Sequence, residues 1–271
     1  MKQHIVEDGV YIPNEGKVFP EDPTTQLVQQ TIVRHVDVED PSYPFLNRSA
    51  GALVWRIIAY WIILVPGRIM QRLRYGLRIE GKANLKKHKA ELKNGALIVC
   101  NHVYRWDFMA IVEALNFRRL YVIVRADLVD SKDAHLIRGV GGIPIPKTAA
   151  AQRRFNQALD KLHSRKKWLC VFPEMCRWDF YQPLRPFRRG AFKIALRYEL
   201  PVLPLVISYR KPGKLRTALK WKHPLITIHV GEPVHADTSG GKSKNEVAEK
   251  MRDETRAQML RMAGIKQNCW D

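Results

Sequence analysis

Apolar and polar residues alternate along most of this 271-residue chain with two different periods, and the switches between the periods mark its elements. Short apolar runs bounded by polar, Gly or Pro residues read as strands at 77–81, 96–100, 120–124, 168–172, 202–208 and 225–230. Between them the apolar spacing lengthens to three and four residues. Helices are therefore expected at 108–115, at 149–162, with Phe155, Leu159 and Leu162 on one face, and at 190–198. A final helix over 244–262 opens with a capping box from Ser243 to Glu246 and stops at Gly264. Strands alternating with helices predict an α/β domain whose central sheet is largely parallel or mixed, with helices on its flanks.

The N-terminal quarter breaks this rhythm. Residues 52–65 (ALVWRIIAYWIILV) are the most apolar run of the chain, interrupted only by Arg56 and closed by Pro66-Gly67. As a helix that run reaches about 21 Å, short of the roughly 30 Å hydrocarbon core of a bilayer. Residues 68–74 place Ile69, Met70 and Leu73 on one side and Arg68, Arg72 and Arg74 around the other. The expectation is a membrane-associated helical pair within 50–76, broken at Pro66-Gly67 and lying in one leaflet. Trp55, Tyr60 and Trp61 would then sit at headgroup depth and Arg56 would snorkel. The alternative is a core helix followed by a surface helix. Residues 1–49 read as an acidic irregular arm broken by Pro13, Pro20, Pro23, Pro41 and Pro44, with one short helix expected around 25–35 and no secretory-signal pattern. The remaining residues, 77–271, form the catalytic domain in this reading.

Charge sharpens the division. The chain carries 46 Lys and Arg against 26 Asp and Glu, a net of +20; residues 1–50 hold four and eight of these, a net of −4, leaving 42 and 18, or +24, for the body. A basic body is drawn to polyanions, whether nucleic acid, an anionic membrane surface, or acidic substrates and carriers. No helix-turn-helix, zinc-finger or RNA-recognition signature accompanies the charge, so nucleic acid is not expected as a partner. The basic clusters, Arg153-Arg154, Arg165-Lys166-Lys167 and 185–189, read as solvated faces open to such anions. The cysteines, Cys100, Cys170, Cys176 and Cys269, lack metal-ligand spacing. Cys100 and Cys170 fall in apolar strands and are expected as buried free thiols in a reducing compartment.

Candidate chemistry concentrates at strand ends. In Asn101-His102-Val103-Tyr104-Arg105-Trp106-Asp107, five helical steps would set His102 and Asp107 roughly 140° apart, so His102 belongs to the turn before the helix. From there its imidazole can fold back on an Asp107 that opens the helix, as a base held in one tautomer by a carboxylate. Three more stretches follow. Gly141-Gly142-Ile143-Pro144-Ile145-Pro146-Lys147 reads as a stiffened loop presenting Lys147. Phe172-Pro173-Glu174-Met175-Cys176-Arg177 places a carboxylate and a guanidinium in a turn, suited to hydroxyls and phosphate. Pro201-Val202-Leu203-Pro204-Leu205-Val206 reads as an apolar wall.

These four blocks, in this order over about 105 residues, resemble those of the glycerolipid acyltransferases, a family that includes 1-acylglycerol-3-phosphate and other lysophospholipid acyltransferases. The resemblance covers roughly 77–232. It implies transfer of a fatty acyl group from acyl-CoA or acyl carrier protein to a lysophospholipid hydroxyl at a membrane, on its cytoplasmic face, with no cofactor or metal. On that basis His102 would deprotonate the acceptor and Asp107 would orient His102. Lys147, Glu174 and Arg177 would hold its phosphate and glycerol, and the Gly141-Gly142 loop would assist the oxyanion. Two positions where the family usually has a small residue carry Tyr104 and Met175, and Cys176 stands for the usual Thr. The second block ends in Lys147 rather than Arg. The competing readings are a non-catalytic lipid-binding member of the same fold and an acyl-thioester hydrolase.

Overall fold

The computed structural model describes all residues except 1–3, 8–9, 29–35, 220–222 and 242. In chain order its strands are β1 (Ile5–Val6), β2 (Arg78–Glu80), β3 (Leu97–Cys100), β4 (Leu120–Arg125), β5 (Gly142–Ile145), β6 (Trp168–Val171), β7 (Val202–Arg210), β8 (Leu225–Val230) and β9 (Ile265–Gln267). The helices are α1 (Ala50–Leu73), α2 (Ala83–Lys87), α3 (Lys89–Leu92), α4 (Asp107–Ala114), α5 (Ala134–Gly139), α6 (Ala149–His163), α7 (Gly190–Arg197), α8 (Lys214–Ala218) and α9 (Lys244–Met262).

Seven strands form one sheet in the order β2-β8-β7-β3-β6-β4-β5, and β1 pairs with β9 in a separate two-stranded ribbon. Every pairing in the large sheet is parallel except β7 with β8. The central strands β3 and β6 are buried at every position, as strands covered on both faces by helices must be. Cys100 and Cys170 are fully buried there, and burial pushes both thiols up, which leaves them unreactive.

One strand departs from the sequence expectation. Residues 142–145, read as a loop, form β5, whose Pro144 is tolerated because β5 is the edge of the sheet. Gly142 is explained by packing: a Cβ there would lie 2.6 Å from Ile137 Cγ2 and 2.7 Å from the Ile137 carbonyl oxygen. Gly141 has φ +91, a conformation that favours glycine.

The expected helical pair is a single helix. α1 runs unbroken through Pro66, capped by Ser49, whose side chain accepts from the Ala52 amide. Its 24 residues reach about 36 Å, and it is the one helix among the described residues long and apolar enough to cross a membrane by length and composition. Ala59, Tyr60 and Gln71 face the body and are buried, whereas Val54, Trp61, Val65 and Leu73 are each more than half exposed. Arg56 does not snorkel. It turns inward to donate to the Tyr121 hydroxyl at 2.7 Å, and Tyr60 accepts from the Leu120 amide at 2.8 Å. Gly67 packs closely on Met109 of α4, and Trp55 donates to the His135 carbonyl at 2.9 Å.

Residues 10–28 and 36–48 are irregular, as the prolines predict, yet they are docked on the body. Glu39 accepts from the backbone amides of Lys147 and Thr148 at 2.7 and 3.0 Å, and Asn14 donates to the carbonyls of Asp179 and Phe180 at 2.9 and 3.0 Å. Of the short helix expected around 25–35, residues 29–35 lie outside the described residues, and 25–28 are not helical.

Candidate active site

The site is assembled at the carboxyl ends of neighbouring parallel strands, where a sheet of this kind opens a crevice. Chain leaving β3 runs straight into Asn101, whose side-chain amide clamps the adjacent strand: Nδ2 donates to the Ile207 carbonyl at 3.0 Å and Oδ1 accepts from the Ile207 amide at 2.8 Å. The next residue is His102. Its Nδ1 lies 2.6 Å from Asp107 Oδ2, and the same carboxylate accepts from the amides of Val103 and Tyr104, both at 2.9 Å. Asp107, at the first position of α4, thus closes the whole turn on itself.

Asp107 is 1% exposed, and burial pushes its carboxyl above the ordinary value while the three donors pull it back down. The imidazole is stacked on Phe172 with ring centroids 4.4 Å apart. With Nδ1 directed at Asp107, Nε2 is the nitrogen left for another partner, and it has none among the described residues. His102 lines a cavity of about 770 Å³. Phe108, Met109, Leu136, Phe155, Leu159 and Ile194 supply apolar wall, while Arg105, Lys132, Arg188 and Lys193 place cations around it.

The other expected site residues divide. Arg177 lines the cavity, with Nε 2.9 Å from Asp179 Oδ1, and Gly142 lines it from β5. Glu174 does not line it. It is 4% exposed, and its carboxylate is occupied: Oε1 accepts from the Arg185 amide at 3.0 Å, and Oε2 accepts from Arg185 Nη2 at 2.9 Å and from the His102 amide at 3.1 Å. Lys147 is exposed and lies outside the cavity wall. It follows the edge strand β5, three places from β3 in the sheet, a separation of about 14 Å at ordinary strand spacing.

The two bulky residues also differ from one another. Tyr104 is 1% exposed and points away from the cavity, its hydroxyl donating to Gln71 Oε1 of α1 at 2.9 Å. Met175 does line the cavity, and its φ of +66 places a side chain where glycine is the usual occupant.

Two contributors were not recognised in the sequence. Asn101 was visible only as part of a motif, and Arg185 was counted among a solvated basic run; it is 1% exposed. An Arg flanked by Leu184 and Pro186, among apolar neighbours, was the available signal.

Residues 76–208 match the model of the family described as Acyltransferase. That matched stretch, just under half of the chain, belongs to this acyltransferase family. Among relatives, 1-acyl-sn-glycerol-3-phosphate acyltransferase alpha of Homo sapiens is 28% identical over 137 residues, 49% of this chain and 47% of that protein. The 1-acyl-sn-glycerol-3-phosphate acyltransferase of Cocos nucifera is 23% identical over 220 residues, 71% of this chain and 66% of that protein. The chain therefore spans about half the length of the mammalian relative it matches. The crystal structure of the 1-acyl-sn-glycerophosphate acyltransferase PlsC from Thermotoga maritima aligns with a TM-score of 0.44 at 19% identity, covering 80% of this chain and 99% of that one.

Proposed function

We propose that this chain moves a fatty acyl group from acyl-CoA or acyl carrier protein to a hydroxyl of a lysophospholipid, with 1-acylglycerol-3-phosphate as the acceptor and phosphatidate as the product. The observation that carries the reading is the 2.6 Å contact between His102 Nδ1 and Asp107, made at the wall of a large, mainly apolar cavity with Nε2 unengaged.

In this mechanism Nε2 takes the proton from the acceptor hydroxyl as its oxygen attacks the thioester carbonyl. The tetrahedral intermediate collapses, the carbon–sulfur bond breaks, and the leaving thiolate takes the proton back from the imidazolium. Asp107 holds the tautomer and stabilises the positive ring. Arg177 and the cations around the cavity receive the acceptor phosphate. Glu174 is assigned a positioning role through the His102 amide, in place of acceptor binding, because its oxygens are already engaged. Lys147 is assigned the outer end of a substrate long enough to reach the sheet edge, and Gly142 contributes cavity wall. The bare apolar face of α1 would rest in the cytoplasmic leaflet, where anionic lipid complements the +20 net charge.

The test is thiol release from palmitoyl-CoA by purified protein, with and without lysophosphatidate and then across other lysophospholipids, with acyl carrier protein as a second donor. Acceptor-dependent release, with formation of the diacyl product, is expected. Release that is indifferent to any acceptor would replace the proposal with thioester hydrolysis.

A further inference from the structure

Four consecutive residues of the N-terminal arm each accept a hydrogen bond from the body, two of them from residues that line the cavity, Cys176 and Arg125. The Pro23 carbonyl accepts from Arg185 Nη1 at 3.1 Å, that of Thr24 from the Cys176 thiol at 3.2 Å, and that of Thr25 from Trp178 Nε1 at 2.8 Å. Gln26 Oε1 accepts from Arg125 Nη2 at 2.5 Å. Gln26 and Val28 then line the cavity themselves, beside Arg125 and Cys176.

Arg185 joins this row of contacts to the catalytic turn. Its guanidinium is 4.6 Å from the centroid of the Trp178 ring and also donates to the Cys176 carbonyl. Its ion pair with Glu174 is 1% exposed on both sides. Burying such a pair costs desolvation of both charges, and apolar side chains of similar volume would often serve stability as well or better. What an apolar pair could not do is bridge a carbonyl of the arm to the amide of His102. Glu174 reaches that amide at 3.1 Å, and Trp178 closes the same loop by donating its own amide to the His102 carbonyl at 3.2 Å.

We propose that Pro23–Gln26 are a working part of the site, and that Arg185 is the positioning residue through which their docking fixes the His102 turn. The inference rests on the acyl-transfer reading for its kinetic consequence, but not for its structural one. When the arm is docked, the planar guanidinium holds Glu174 at one end and Pro23 at the other. When it is released, Glu174 loses part of its restraint and the base moves off line. A displacement of about 1 Å at a reacting group is enough to cost on the order of 100-fold in rate.

The experiment uses the full chain with two substitutions. Arg185→Lys keeps the charge toward Glu174, but a point ammonium cannot span both ends as the fork does. Trp178→Phe removes only the N–H to Thr25 and keeps a ring beneath Arg185. Hydrogen exchange of the Thr24–Val28 amides should speed up at least tenfold in both. With it, kcat should fall about tenfold or more in Arg185→Lys and several-fold in Trp178→Phe, with KM for the thioester changed by less than about twofold. The rate at which diethyl pyrocarbonate modifies His102, read by peptide mass, should change several-fold in both, and this readout needs no turnover. Faster arm exchange with unchanged kcat and unchanged His102 modification would make the arm a passive cover and overturn the proposal. A fall in kcat without faster arm exchange would overturn the role of the arm and leave Arg185 acting on Glu174 alone. Should Arg185→Lys not fold, the Trp178→Phe comparison decides. If the wild-type chain transfers no acyl group, the acyl-transfer reading fails, and His102 modification decides the coupling independently.

Discussion

Tyr104 and Gln71 tie the long apolar helix to the turn that carries His102: the Tyr104 hydroxyl donates to Gln71 Oε1 at 2.9 Å, and Gln71 Nε2 donates to the Trp106 carbonyl at 3.1 Å. Both side chains are at most 1% exposed, so neither can turn to water if the other is lost. Gln71→Leu should therefore leave a buried hydroxyl and a carbonyl without partners and cost about 1–3 kcal/mol. Denaturant unfolding, with the m-value held, measures this. A loss below about 0.5 kcal/mol would mean that water reaches the site.

His102→Ala should abolish acyl transfer and, because it takes one of three donors from the buried Asp107 carboxylate, cost about 1–3 kcal/mol of stability without unfolding the chain. Asp107→Asn should lower kcat by roughly 10³–10⁴-fold, since an amide cannot hold the ring in the tautomer that leaves Nε2 free. Single-turnover rates for the two variants, set against their unfolding curves, separate chemistry from stability. Full activity in either would remove the proposed base.

Met175→Gly relieves a left-handed side chain, worth about 1–2 kcal/mol, against a backbone-entropy cost of roughly 0.5–1 kcal/mol. Stability should shift by no more than about 1 kcal/mol as those terms offset. Because Met175 is also cavity wall, the ratio of kcat/KM between large and small lysophospholipid headgroups should rise. An unaltered ratio would place the headgroup elsewhere in the cavity.

Stability should fall as pH drops from about 6.5, the ordinary histidine value, toward 5. Burial holds His229 below that value, against the opposing pull of Glu80, whose carboxylate is 3.1 Å from Nδ1; burial also lowers His4 and His223. In this window the unfolded chain binds protons that the folded chain resists, so stability is full above the unfolded value and is lost below it. His229→Gln, which cannot titrate, should flatten the slope of unfolding free energy against pH. An identical slope would show that His229 does not supply it.

The sequence made the sheet and the His102 turn legible for a common reason: both are written locally. Short apolar runs located β2, β3, β4, β6, β7 and β8 to within about two residues, and capping chemistry located both ends of α9. Asp107 is only five residues from His102, so its approach follows from turn geometry. What could not be read depends on distant closure. Residues 142–145 carry loop chemistry and become a strand because β4 offers them an edge. Pro66 signals a helix end, but packing of Gly67 and Gln71 against α4 and its turn carries α1 past it. Glu174 and Arg177 look like a pair at three-residue spacing, whereas each finds a different partner, Arg185 and Asp179. In one dimension only the flanking Leu184 and Pro186 distinguish Arg185 from its exposed neighbours Arg188 and Arg189.

The docking of Pro23 on Arg185 spans 162 residues of chain, and that of Thr25 on Trp178 spans 153. At a synthesis rate of roughly 5–20 residues per second, the arm waits on the order of 8–30 s after leaving the ribosome before its binding surface exists. Contacts of such sequence separation form late even in a refolding chain. The local contact of His102 with Asp107, closed over five residues, can thus form while the side of the cavity bounded by Gln26 and Val28 is still open. Completion of the cavity wall is in this sense a time stamp, recording that the chain has been made through residue 185.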